Sequence, residues 1–255
     1  MAMKTALVTG AGRGIGAAVA GRLARAGLRT TLVDLATDAV AGTAAALTAA
    51  GCQAAGLVGD VTVAADMERV VEAAAIDGRL DVLVHCAGIS PTMASGAEIL
   101  RVNFGGTLTT LAAADPLLRK GASVVLIGST SAALIGESYD EAIGDPRDAE
   151  MAERLRPHLE VPQLAYSVSK RAVIRLAQAL TMQLGRRGVR INTVSPGLAD
   201  TEMGRLEEAS TPIIPEMQAL VPFSRMVQPD EVAAAVAFLA GPDAGFITGA
   251  DLLVD

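Results

Sequence analysis

Two residue types able to move a proton are scarce in this chain, and they meet at one place. Only two tyrosines and three lysines occur among 255 residues, yet Tyr166 and Lys170 stand four apart in Tyr-Ser-Val-Ser-Lys. On a helix that spacing puts both side chains on one face. A phenol titrates near pH ~10 and is a poor base at neutral pH. An ammonium beside it stabilises the phenolate and draws that pKa towards working pH, which suits acid–base chemistry on a hydroxyl. Taken alone, such a pair also reads as two neighbours on a solvated surface. Gly128-Ser129-Thr130-Ser131 follows an apolar run and offers two hydroxyls, on Ser129 and Ser131, able to donate to an oxygen that gains charge.

A second constellation suits a dinucleotide. Thr9-Gly10-Ala11-Gly12-Arg13-Gly14-Ile15-Gly16 follows a short apolar run and opens into an Ala-rich stretch of helical length. Glycines there permit a tight turn and let amides at a helix N-terminus face a pyrophosphate. No Lys-Ser/Thr follows them, so a phosphate-transferring P-loop is excluded. Asp34 closes the next apolar run, 18 residues after Gly16, where its carboxylate can accept from a ribose 2′-hydroxyl. A 2′-phosphate beside it would be repelled by ~1–4 kcal/mol. Leu35 supplies no compensating cation, and Arg13 is only a mild counter-signal. NAD is therefore expected over NADP. Asp60-Val61, after the third run, is placed to hold an adenine or to form a plain turn.

The elements that must position these groups follow a regular rhythm. Apolar runs at 5–9, 30–34, 53–58, 81–84, 123–127, 189–194 and 251–254 alternate with helix-length segments at 16–26, 39–50, 64–75, 165–185 and 229–240. Short runs that are apolar throughout suit a parallel sheet covered on both faces. Their alternation with helices predicts an α/β fold, a single Rossmann-type, doubly wound domain over 1–255 with a seven-stranded parallel sheet. Two segments break the rhythm. Residues 132–162 hold eight acids against three arginines and read as a surface insertion, helical in part around 149–156. Residues 198–226 carry prolines and scattered apolar side chains without a clear period, the pattern of a functional lid.

Composition removes other classes. A net charge of −7 argues against a nucleic-acid groove, and no apolar run reaches the ~18 residues of a membrane span. The N-terminus lacks the pattern of a signal peptide, so a soluble, cytoplasmic protein is expected. Cys52 and Cys86 have no ligand spacing, and neither His85 nor His158 pairs with a Cys or carboxylate, so no metal is implied. His85 reads as a strand-end residue satisfied by backbone.

With these motifs in order, the whole chain resembles the short-chain dehydrogenase/reductase family. The glycine turn is followed by Cys86-Ala87-Gly88, matching the last two positions of Asn-Asn-Ala-Gly, and by Asn103, matching the family's helix Asn. Ser129, then Tyr166 and Lys170, then Ser195-Pro196-Gly197 through Thr201 complete the series. The resemblance selects Ser129 over Ser131. It implies that Tyr166 exchanges the substrate proton, that Lys170 also binds the nicotinamide ribose, and that Asn103 holds a water linking Lys170 to solvent. It also places Gly10, Gly12, Arg13, Gly14, Ile15, Gly16, Asp34, Leu35, Asp60, Val61, Cys86, Ala87, Gly88, Pro196, Gly197 and Thr201 around the cofactor.

The departures are informative. His85-Cys86 stands where the family has Asn-Asn, so contacts between those strands must be made differently. The stretch from Gly88 to Asn103 is short, and Ser129 and Tyr166 lie 37 apart because the acidic segment intervenes. Both features resemble the bacterial 3α-hydroxysteroid dehydrogenase/carbonyl reductase group and, more loosely, the coniferyl-alcohol dehydrogenases. Met203, Leu206, Ile213, Ile214, Met217, Leu220, Val221 and Phe223 would give a closed lid an apolar lining, suited to a small hydrophobic alcohol or ketone. The expected activity is NAD-dependent interconversion of a hydrophobic secondary alcohol, a hydroxysteroid or another cyclic or aromatic alcohol, and its ketone. A cis-dihydrodiol or aryl alcohol dehydrogenase and a catalytically silent NAD-binding regulator are the alternatives. Family members pair through long helices, here 95–119 and 165–187, so a homodimer or homotetramer is expected.

Overall fold

Val, Leu, Ile and Thr dominate the short runs because branched side chains pack well on a pleated surface that is buried on both sides. A computed structural model of the chain describes residues 3–210, 216, 218, 219 and 221–255. Among them the strands are β1 (Thr5–Thr9), β2 (Arg29–Asp34), β3 (Ala54–Val58), β4 (Leu80–His85), β5 (Leu118–Ile127), β6 (Arg190–Pro196) and β7 (Asp251–Val254). They form one sheet in the order β3-β2-β1-β4-β5-β6-β7, every neighbouring pair parallel. The seven-stranded parallel sheet expected from the sequence is therefore present. Strand order reverses between β1 and β4, and the crevice beyond their carboxyl ends is where such sheets bind ligands.

Alternate strand residues feed two cores. Leu7, Leu83, Val124 and Leu126 face one side with α3 (Ala64–Ala74) and α8 (Pro162–Gly185). Val8, Val82, Val84 and Val125 face the other with α1 (Gly14–Arg25) and the last helix, α10 (Pro229–Ala240). α2 (Thr37–Ala49) lies against the edge strand β3.

Three segments differ from expectation. The helix anticipated over 95–119 is instead α4 (Gly96–Leu100), a π turn (Arg101–Gly105) and α5 (Gly106–Ala114). Asp115 and Pro116 then tighten into a 3₁₀ turn, and β5 begins at Leu118, five residues early. Proline disfavours a continuing helix at the residue before it, which fixes that stop.

The acidic segment is less detached than its composition suggests. α6 (Ser138–Ile143) and α7 (Met151–Leu155) bury Ile143, Met151 and Leu155 in the same core as α8. Asp140 takes two bonds from Arg171 on α8, at 2.8 and 2.5 Å. In the third segment, the patternless 198–226 contains a helix, α9 (Glu202–Ser210). Ile213, Ile214, Met217 and Leu220 lie outside the described residues.

Candidate active site

The glycine turn has the geometry its sequence implies. Gly10 and Gly14 adopt positive φ of 62° and 54°, a region that side chains strongly disfavour. A Cβ on Gly16 would lie 2.0 Å from the Gly10 carbonyl oxygen, so helix and turn meet only through glycine. α1 carries no side-chain cap and no acid in its first turn, which leaves its leading amides for an anion. These features fit a pyrophosphate.

Asp34 sits at the carboxyl end of β2 beside the turn. Its Oδ2 accepts from the Gly12 amide at 2.9 Å and its Oδ1 from the Ala36 amide at 3.0 Å. The carboxylate is thus oriented by backbone, with lone pairs left for a ribose. Leu35 is 64% exposed and brings no charge. Arg13 points elsewhere: its guanidinium pairs with Glu202 on α9 at 2.7 Å, at an exposed position. Asp60 Oδ1 closes a turn by accepting from the Thr62 amide and hydroxyl, at 2.8 and 2.7 Å. Val61 is turned inwards against Gly106, so any contact with an adenine falls to backbone and not to its side chain.

At the end of β4 the missing Asn-Asn contacts are replaced by His85. Its Nδ1 lies 3.0 Å from Thr9 Oγ1 on β1, and Thr9 Oγ1 also accepts from the Ala87 amide at 3.3 Å. The side chain is buried and its Nε2 has no hydrogen-bond partner among the described residues. The expectation that backbone would satisfy this histidine is corrected: one nitrogen meets a hydroxyl and the other meets nothing. Burial, reinforced by nearby Lys170, drives its pKa down to about 3, so the ring is neutral at working pH. Burial pushes the neighbouring Cys86 thiol up to about 12, which makes it an inert wall.

Asn103 occupies the π turn, where Gly106 N–H reaches back to the carbonyl of Arg101. Its Oδ1 accepts from the Ile89 amide at 2.8 Å, and its Nδ2 donates to Ile89 O and Ser169 Oγ, both at 3.1 Å. These bonds clamp the segment after β4 to α8. Gly88 fills the gap, since a Cβ there would stand 3.0 Å from Asn103 Oδ1 and 3.5 Å from Lys170 Nζ.

Tyr166 and Lys170 project from one face of α8 towards the carboxyl end of β5. Lys170 Nζ donates to Ile127 O at 3.0 Å and lies 5.7 Å from the Tyr166 ring centroid. Burial lowers its pKa to about 8. Ser129 stands two residues beyond Ile127, and of the two candidate serines its hydroxyl is the one that pulls the Tyr166 phenol down. Ser131 donates to Ser129 Oγ at 3.0 Å and so supports it from behind. Burial first, then the Glu207 carboxylate, push the phenol up to about 12, against the pull of Ser129. The protein's own groups therefore keep Tyr166 protonated at neutral pH, the state in which it can give a proton to a ketone oxygen.

β6 ends at Pro196, and Gly197 donates to the Val254 carbonyl at 3.0 Å, so this segment crosses the sheet end beside β7. Thr201 caps α9 by accepting from the Gly204 amide at 3.0 Å, and its methyl would lie 3.3 Å from a Cβ on Gly14. The segment through Thr201 thus stands over the glycine turn. Of the expected apolar lining, Met203 and Val221 are half-buried, and Ile213, Ile214, Met217 and Leu220 lie outside the described residues. Leu206 is 54% and Phe223 73% exposed, whereas Glu207 on α9 is half-buried, and burial raises its carboxyl above the usual range against the pull of Ser90. Sequence reasoning missed Glu207, because one of three acids in Glu-Met-Gly-Arg-Leu-Glu-Glu-Ala carries no local signal of what it faces.

A parallel sheet, a glycine turn at its switch point and a Tyr–Lys pair beside it define a nucleotide-binding oxidoreductase. Residues 4–139 match the family model described as short chain dehydrogenase, and residues 151–255 match the one described as Enoyl-(Acyl carrier protein) reductase. The chain belongs to the short-chain dehydrogenase family.

Among curated proteins it is 34% identical to a D-threitol dehydrogenase of Mycolicibacterium smegmatis, over 99% of this chain and 91% of that protein. It is likewise 34% identical to a galactitol 2-dehydrogenase of Rhizobium johnstonii, over 98% and 93%. Among solved structures, a short chain dehydrogenase from Burkholderia cenocepacia in complex with NADP superposes with a TM-score of 0.79 at 31% identity, covering 99% of this chain and 96% of that one. The chain is an oxidoreductase of a family whose similar members act on alcohols.

Proposed function

We propose that the chain interconverts a secondary alcohol and its ketone with NAD as the hydride carrier. The observation that carries the reading is the convergence of Tyr166, Lys170 and Ser129 at the sheet end beside the uncapped glycine turn. The bound nicotinamide supplies the site that gives or accepts hydride. Ser129 holds the substrate oxygen as charge changes on it. Tyr166 Oη passes a proton to that oxygen or takes it away, and the Lys170 ammonium stabilises the phenolate present when the proton is off Tyr166. Asn103 keeps the Gly88–Ile89 segment and α8 in register around that pair. NAD is favoured over NADP because Asp34 faces the ribose position while Arg13, the nearby cation, is spent on Glu202.

The test is cofactor reduction with NAD+ beside NADP+ across secondary alcohols, run with Tyr166→Phe. Turnover with NAD+ that collapses at least ~100-fold in the variant, while NAD+ binding survives, is the expected result. Turnover unaffected by Tyr166→Phe refutes the mechanism, and preference for NADP+ refutes the role of Asp34.

A further inference from the structure

Arg13 stands between two carboxylates that approach the nucleotide turn from different segments. On one side the Gly12 amide donates to Asp34 Oδ2 at 2.9 Å, so Arg13 follows directly on a residue bonded to that acid. On the other, a Cβ on Gly14 would lie 3.3 Å from the Thr201 methyl, and the residue after Thr201, Glu202, takes the Arg13 guanidinium at 2.7 Å. The backbone under Glu202 is fixed. It opens α9, where an acid meets the positive end of the helix, and Thr201 caps that turn by accepting from the Gly204 amide at 3.0 Å. The Arg13 side chain is freer: it is 60% exposed, and Glu202 is its one hydrogen-bond partner among the described residues. Glu202 first, and Asp34 more weakly, hold the guanidinium above its ordinary range, so the charge of both acids reaches it.

We propose that Glu202 is a specificity-determining residue for the cofactor: by engaging Arg13 it withholds that cation from the ribose 2′ position, and so disfavours a 2′-phosphorylated dinucleotide. The inference rests on the NAD reading above and adds to Asp34 a second determinant, placed on α9 and outside the nucleotide-binding strands. An ion pair this exposed is weak, so a stronger anion can exchange for it. A 2′-phosphate presents several charged oxygens to the planar fork of a guanidinium and is such an anion. Whatever it gains from Arg13 is reduced by the loss of the Glu202 contact, whereas a 2′-hydroxyl carries no charge and leaves that contact in place. By reciprocity, a 2′-phosphate that captures Arg13 frees α9 from the turn, so the choice of dinucleotide and the seating of α9 are linked.

The experiment measures NAD+ and NADP+ binding by calorimetry at low ionic strength, where exposed charges are least screened, for wild type, Glu202→Gln, Arg13→Ala and the double variant. In Glu202→Gln the ratio of the NADP+ to the NAD+ dissociation constant is expected to fall roughly 3- to 5-fold, with NAD+ affinity unchanged. The same substitution made in the Arg13→Ala background should move the ratio by less than ~1.5-fold, because the cation it would release is gone. An unchanged ratio in Glu202→Gln overturns the proposal, as does an equal change for both dinucleotides. An equal shift in the Arg13→Ala background also overturns it, since Glu202 would then repel the phosphate without Arg13. The cofactor reading fails separately. If wild type binds NADP+ more tightly than NAD+, the role given to Asp34 is wrong. The Glu202 proposal then stands if Glu202→Gln tightens NADP+ further through Arg13, and falls if it does not. If wild type binds neither dinucleotide, both fail.

Discussion

His85 makes the acid stability of this protein unusually dependent on one ring. Its imidazole is 3% exposed, Nδ1 is engaged by Thr9 at 3.0 Å, and Nε2 has no partner among the described residues. Folding lowers its pKa from 6.5 to about 3. Because the folded pKa lies below the unfolded one, the unfolded chain takes up the proton first as pH falls. The stability from keeping the ring neutral is complete above pH 6.5 and is lost progressively down to about 3. Each pH unit inside that window is worth ~1.4 kcal/mol, so about 2 kcal/mol is gone by pH 5 and about 5 kcal/mol at the lower end.

The perturbation is His85→Asn, which cannot titrate. Urea unfolding at fixed protein concentration between pH 7.5 and 5 gives the stability of each protein at each pH. The variant is expected to start lower at pH 7.5, by ~1–3 kcal/mol, because packing and the Thr9 contact change. It is then expected to lose about 2 kcal/mol less than wild type on going to pH 5. Two curves that stay parallel within ~0.5 kcal/mol would refute the assignment of acid sensitivity to His85.

Three further perturbations probe other parts of the structure. Asp34→Asn removes the charge proposed to face the 2′ position, so NADP+ kcat/KM should rise roughly 5- to 100-fold relative to NAD+; no change in the ratio would show that charge at Asp34 sets no preference. Gly16→Ala forces a methyl to within 2.0 Å of the Gly10 carbonyl, and the turn must open; calorimetry should show at least ~10-fold weaker dinucleotide binding, and wild-type affinity would contradict the close approach. Asp140→Asn breaks the half-buried contact to Arg171, whose guanidinium holds the Asp140 carboxyl below its ordinary range. That carboxylate stabilises the fold above its ordinary pKa and ceases to as pH falls, so the variant should lose ~1 kcal/mol, a drop in Tm of about 2–4 °C near neutral pH, and less at pH 3.

The parts of this site that could be read in advance are those whose geometry is local. Tyr166 and Lys170 share a face because four residues is one helical turn, and the glycines of 10–16 announce a turn that no side chain could enter. The apolar runs placed the strands for the same reason, since the central ones, β1, β4 and β6, are buried along nearly their whole length. What stayed hidden depends on partners remote in sequence. The charge of Glu207 raises the Tyr166 phenol from 41 residues away in sequence, and nothing in its own neighbourhood marks it. Ile143, Met151 and Leu155 were masked by the acids around them, although they anchor the segment in the core. The solitary state of His85 Nε2 is a property of the cavity around it, invisible in a run that reads as a buried strand end.

The π turn at Arg101–Gly105 sets how this part of the chain can change through insertion and deletion. A π turn is an α-helix with one residue too many, so removal of one residue there restores ordinary helical winding. The flanks, with Ile99 and Leu100 before it and Leu111 and Ala114 after it, keep facing the cores they already fill. Only the bulge disappears, and with it the outward step that lets Asn103 hold Ile89 and Ser169 together. A deletion of three nucleotides is thus the shortest genetic path between a cleft that is braced at this point and one that is not, and it leaves the scaffold intact.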